Sequence, residues 1–141
     1  MTAPSAPEPL VAGIDSLVGT SAQLVHRVTE RDAATNWGND LPVLATPVLL
    51  WLSEIAAMKV LGTAVPEGDM TVGLAHDSAH LAPTPVGDDV TVSATLSRAD
   101  DRKLTFDVEA RDSHGSVLRG RHTRALIDRK RFTDKLSRRT A

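Results

Sequence analysis

Residues 44–62 read LATPVLLWLSEIAAMKVLG, and the rest of the chain is organised around them. Thr46 is a good N-cap, Pro47 suits the first helical position, and Gly62 is a natural stop. The interval predicts a helix of ~14 residues, or ~21 Å. Only Ser53, Glu54 and Lys59 are strongly polar. An ordinary surface helix carries one apolar stripe; this one is apolar nearly all round, so burial on most sides is expected. Glu54 sits in its middle, with Leu50, Trp51, Ala57 and Met58 as helical neighbours. A carboxylate in that setting is paired, neutral or functional.

The 141 residues suit one domain with a real hydrophobic core. Aromatics are 3% of the chain, so that core must be built from Leu, Val, Ile and Ala. A net charge of -2 recruits neither nucleic acid nor an anionic membrane, and neither is expected as a partner. The absence of cysteine excludes disulfides, thiolate metal sites and a cysteine nucleophile. No apolar run reaches the ~18 residues of a membrane span. No Lys or Arg precedes Arg27, so no signal peptide is expected, and a cytoplasmic location is.

Pro4, Pro7 and Pro9 forbid regular structure near the start, and residues 1–17 are expected to be a flexible arm. Residues 21–29 alternate like a strand, with Ala22, Leu24, His26 and Val28 on one face. Residues 31–41 (RDAATNWGNDL) read as a loop carrying one large aromatic, Trp37. After the helix, residues 70–81 (MTVGLAHDSAHL) read as a strand with Met70, Val72, Leu74, His76, Ser78 and His80 on one face. Residues 89–99 turn Val90, Val92, Ala94 and Leu96 inward, and residues 103–111 turn Leu104, Phe106, Val108 and Ala110 inward. Residues 116–128 form a last strand. Short turns make consecutive strands antiparallel neighbours. The expected fold is therefore α+β, a curved antiparallel sheet wrapped around one long central helix. It should occupy residues 18–132, with a basic tail over 133–141.

Glu54 is the sharpest chemical signal. Burial would raise its pKa, and a poised carboxylate serves as general base or nucleophile. Thr46 is first a helix cap, yet the amides of that turn, from Val48 onward because Pro47 has none, can also hold an oxyanion. Eight residues separate Thr46 from Glu54, ~12 Å along one helix. Two copies packing their helices antiparallel about a two-fold would bring Thr46 of one near Glu54 of the other, so a homodimer is expected, with higher assembly left open. His76 and His80 have metal-ligand spacing on a helix. On a strand they spread ~13 Å, so no metal site is expected there. Gly73 marks a bulge, a close approach of backbone to a ligand, or a plain requirement of the fold. Arg124, in the last strand, can neutralise Glu54, hold an anion or face solvent. No Gly-rich phosphate loop, GxSxG elbow or dinucleotide fingerprint is present.

Three of these segments together resemble the fluoroacetyl-CoA thioesterase type of hotdog-fold protein. LATPVLLWLSE is similar to its central-helix segment, with a threonine at the start and a glutamate eight residues on. GLAHDSAHLAPTPVG is similar to its next segment, a glycine, a histidine seven later and a Thr-Pro turn. RGRHTRALID is similar to its last strand. The resemblance implies a hotdog-fold dimer that hydrolyses a small acyl-CoA or similar thioester, with no cofactor beyond the coenzyme A of the substrate. It implies Thr46, Glu54 and His80, not His76, as catalytic residues. Gly73, Val48 and Arg124 would bind substrate. Trp37 and Leu41 stand in the loop where the family's fluoroacetyl-specific member carries phenylalanines over the acyl group, so only the acyl-CoA hydrolase class is carried over. Two other activities fit the same residues: a hotdog enoyl-CoA hydratase and a non-catalytic acyl-CoA binding protein.

Overall fold

The structure is a computed structural model and describes residues 10–140. Its elements are a short helix α1 (Leu10–Asp15), strand β1 (Ser21–Arg27), helix α2 (Thr46–Leu61), strands β2 (Asp69–His80), β3 (Asp89–Asp100), β4 (Lys103–Asp112) and β5 (Gly115–Asp128), and helix α3 (Arg129–Thr140). The strands form one antiparallel sheet in the order β1-β3-β4-β5-β2. The β3–β4 and β4–β5 hairpins follow from clean alternation joined by short turns. In the first, Asp101 takes a left-handed φ of 58°, which a short polar side chain tolerates.

The sheet curls over α2. Leu49, Leu52, Ala56 and Val60 of the helix share one core with Val90, Val92, Leu96, Phe106, Leu118 and Leu126 of the strands. Each fully buried Leu contributes roughly 1.5–3 kcal/mol. Ala56, Ala94 and Ala110 are fully buried, and such small side chains let helix and sheet approach closely. Gly62 ends α2 with a positive φ and donates its N–H to Met58 O, as a C-terminal glycine does.

Five details depart from the sequence reading. The N-cap is Ala45, and Thr46 is the first helical residue with no capping bond, because its hydroxyl is engaged elsewhere. Burial of α2 is one-sided: Trp51 is 54% exposed and Met58 39%, since the sheet covers only the opposite face. Residues 1–9 of the expected arm lie outside the described residues, but Leu10–Asp15 is helical and Ile14 is fully buried in the core. The basic tail is a helix, α3, with no buried residue. Finally, β2 carries a bulge between Gly73 and Ala75. One inserted residue reverses the facing of a strand. Thr71 and Gly73 therefore join His76, Ser78 and His80 in facing α2, while Leu74 is 56% exposed.

The loop from β1 to α2 winds through two 3₁₀ turns, Glu30–Asp32 and Ala34–Trp37. Asp32 anchors it. Its carboxylate accepts from Thr29 N–H at 2.8 Å and bonds His26 Nε2 at 2.8 Å. An Ala33–Leu44 bridge then brings the chain back to the start of α2. Among the described residues, no helix is long and apolar enough to cross a membrane.

Candidate active site

Two polar clusters lie where α2 meets β2. The first is at the start of α2, where Thr46 Oγ1 and His80 Nδ1 are 2.7 Å apart. The first amide bonded within the helix is that of Leu49, to Ala45 O at 3.1 Å. The amides of Thr46 and Val48 precede it, at the positive pole of the helix. Thr46 and His80 line an open cleft of about 500 Å³ with Trp37, Val43, Pro47 and Leu81. Leu41, expected there, is 62% exposed and is not one of the residues that line this cleft. Val48 is buried by its side chain, so only its backbone is offered to the site. Burial pushes the His80 imidazole below its ordinary value, against an opposing backbone interaction with Ala82. His80 Nε2 is buried and has no hydrogen-bond partner among the described residues.

The second cluster surrounds Glu54. Arg124 Nη1–H donates to Glu54 Oε1 at 2.8 Å, and His76 Nε2 lies 3.0 Å from Oε2. Arg124 is almost wholly buried, and Thr71 holds it through its hydroxyl at 3.0 Å and its carbonyl at 3.2 Å. Behind it sits His122, fully buried. His122 Nδ1 lies 2.9 Å from Ala75 O, and a carbonyl only accepts, so Nδ1 carries the proton. Its Nε2 is then the acceptor for Arg124 Nη1–H at 3.0 Å, which leaves the ring neutral. Burial, the larger cause, likewise depresses the His122 pKa. Gly73 closes the cluster: a Cβ there would stand 2.8 Å from Glu54 Oε1.

The expected rise in the Glu54 pKa is reversed. Burial does act to raise it and is the largest single influence. Hydrogen bonds from His76 and Arg124 together outweigh burial, and the pKa falls below the usual 4.5. The carboxylate is held charged, with 31% of its side chain still open on the uncovered face of α2.

Glu54, His76 and His122 bring three possible metal ligands within 4.8 Å of one another. Arg124 Nη1 stands between two of them, bonded to both, and a fixed cation there opposes a metal ion. His76 and His80 face different partners and form no shared centre. Within one chain the structure thus joins Thr46 to His80, and Glu54 to Arg124 and Gly73, and keeps the two groups apart. The sequence reading passed over His122 and gave His76 no catalytic role. The missed signal was in HTR of β5, where period-2 alternation puts His122 and Arg124 on one face.

A central helix with a curved antiparallel sheet wrapped over one of its faces, and polar groups at its start and middle, defines a class, the hotdog fold. The structure superposes on a hot-dog-like protein from Thermanaerovibrio acidaminovorans with a TM-score of 0.82 at 29% identity, covering 88% of this chain and 93% of that one. It also matches a mutant of the fluoroacetyl-CoA thioesterase solved in complex with acetyl-CoA, with a TM-score of 0.81 at 26% identity over 88% of this chain and 98% of that one. The fluoroacetyl-CoA thioesterase of Streptantibioticus cattleyicolor is 33% identical over 98 residues, 70% of each chain. Residues 28–130 match the family described as fluoroacetyl-CoA-specific thioesterase, and the chain belongs to that family.

Proposed function

We propose that this thioesterase hydrolyses a small acyl-CoA to the carboxylic acid and free coenzyme A, in a homodimer whose sites are shared between protomers. The observation that carries the reading is the Thr46–His80 pair at 2.7 Å, set at the amide-rich start of α2 and opening on a cleft of about 500 Å³. Such a pole is suited to a thioester carbonyl that becomes an oxyanion.

Dimer formation is supported by two unpartnered surfaces that adjoin each other. Among the described residues β2 pairs only with β5, so its other edge offers backbone groups that are the usual template for another strand. Beside it the open face of α2 shows Trp51 and Met58. Antiparallel pairing of two such faces about a two-fold sets Thr46 and His80 of one copy against Glu54 of the other.

The roles follow from protonation. Glu54 is ionised and too weakly basic for efficient proton abstraction near neutral pH, which suits a nucleophile. Its oxygen attacks the thioester carbon, the C–S bond breaks, and the thiolate leaves and takes a proton from solvent. Thr46 and the amides of Thr46 and Val48 hold the carbonyl oxygen. His80, neutral near pH 7, takes a proton from the water that cleaves the resulting anhydride, which returns Glu54 as carboxylate. Trp37 lines the same cleft. No redox group or metal is required by this sequence of steps.

A screen of short acyl-CoAs with a thiol-reactive dye tests the proposal. Thiol release that requires Thr46, Glu54 and His80 is expected. Water addition to crotonyl-CoA without thiol release, or tight binding with no turnover of any acyl chain, would refute it.

A further inference from the structure

α2 and β2 run side by side in opposite directions and are tied at two points, Thr46 to His80 and Glu54 to His76. The spacing is not accidental. Eight helical residues rise ~12 Å, and four strand residues span ~13 Å, so both ties form without distortion. His76 reaches α2 because the bulge at Leu74 sets the facing of the strand after it.

The geometry points to His76 as a positioning residue of this thioesterase: it fixes the plane of the Glu54 carboxylate by holding Oε2 while Arg124 holds Oε1. This rests on the nucleophilic role proposed for Glu54 above. Three observations support it. The His76 ring stacks on His122 at 4.1 Å with 13° between the planes, so its orientation is set. His122 is itself locked between Ala75 O and Arg124. His76 Nδ1 is buried without a hydrogen-bond partner among the described residues, an arrangement that an apolar side chain would avoid and that core packing does not explain. With each oxygen taking one donor, the carboxylate keeps one orientation and a free lone pair on each oxygen for the reaction.

The ionisable groups facing Glu54 are His76 from β2 and His122 and Arg124 from β5. Removing His76 leaves Arg124 to hold one oxygen alone, and the carboxylate can rotate about that bond. The test compares His76→Ala and His76→Gln in kcat, KM and the pH profile of kcat/KM, with thermal unfolding alongside. His76→Ala should lose on the order of 10²-fold in kcat. KM should stay within about twofold. The acid limb should move up toward the ordinary glutamate value. His76→Gln, whose amide N–H also reaches Oε2, should restore most of kcat and return the acid limb. Near-normal kcat in His76→Ala overturns the proposal. A loss that Gln does not rescue, with the acid limb unmoved, overturns it too and reveals a packing role. Absence of thiol release from the unaltered protein would instead remove the functional reading beneath it, an outcome separate from the other two.

Discussion

Gly73→Ala is the most direct probe of how tightly the Glu54 carboxylate is placed. Gly73 pairs with Arg124 across β2 and β5 beside the bulge, and its φ lies outside the left-handed region, so alanine is allowed by the backbone. In a strand interior the change even favours the fold, by up to ~1 kcal/mol. The obstacle is the site. The new Cβ would stand 2.8 Å from Glu54 Oε1, 3.3 Å from Cδ and 3.5 Å from Oε2. Ordinary contact needs about 3.5 Å, so the carboxylate must retreat by roughly 0.7 Å. Retreat along the Arg124 bond, now 2.8 Å, carries it past the N–H···O range.

A charge-assisted hydrogen bond contributes roughly 1.5–3 kcal/mol. Glu54 is 31% exposed, so solvent screening places the effect in the lower half of that range. The expected loss in kcat is then roughly 10–30-fold, at one factor of ten per ~1.4 kcal/mol. Thermal unfolding should shift by only a few degrees, because the gain of up to ~1 kcal/mol in the strand offsets much of the lost bond. Dye-monitored thiol release measures the first quantity and circular dichroism the second. Wild-type turnover in a folded Gly73→Ala protein would refute the claim that the carboxylate needs its present position.

Glu54→Gln should fold normally and lose most turnover, since an amide cannot attack; near-normal rates on the preferred acyl-CoA would exclude the mechanism. Mixing Thr46→Ala with Glu54→Gln protein under subunit exchange should restore about a quarter of the wild-type rate, because half the dimers are mixed and each mixed dimer has one intact site. No recovery, with exchange verified, would place all three catalytic groups within one chain. Stability should hold between about pH 8 and 7 and decline as the pH drops below 6.5, because His80 and His122 have lowered pKa values when folded and the unfolded chain binds protons first. A second decline should begin below 4.5, as Glu54, also lowered, is protonated in the unfolded chain first. A melting temperature that rises as the pH falls from 6.5 would contradict the assigned neutral histidines.

What sequence alone determined was whatever depends on neighbours close along the chain. The apolar run of α2, its Pro47 start and Gly62 stop, and the alternation of β3 and β4 are local periodicities, and each predicted element lies within a residue or two of its place. Thr46, Glu54, Gly73 and Arg124 could be singled out from their places in these elements, and His80 was preferred to His76 through the family resemblance of short motifs, which are local as well. Only the tertiary structure decided their partners. The Thr46–His80 bond spans 34 residues of sequence and the Arg124–Glu54 bond 70, and no window of the chain holds both ends. The bulge beside Gly73 reversed half of β2, so alternation read straight through it assigned Met70, Val72 and Leu74 to the wrong face. The Glu54 pKa changed direction for the same reason. Burial can be read from a greasy helix, but the opposing hydrogen bonds come from two strands that only folding brings to it.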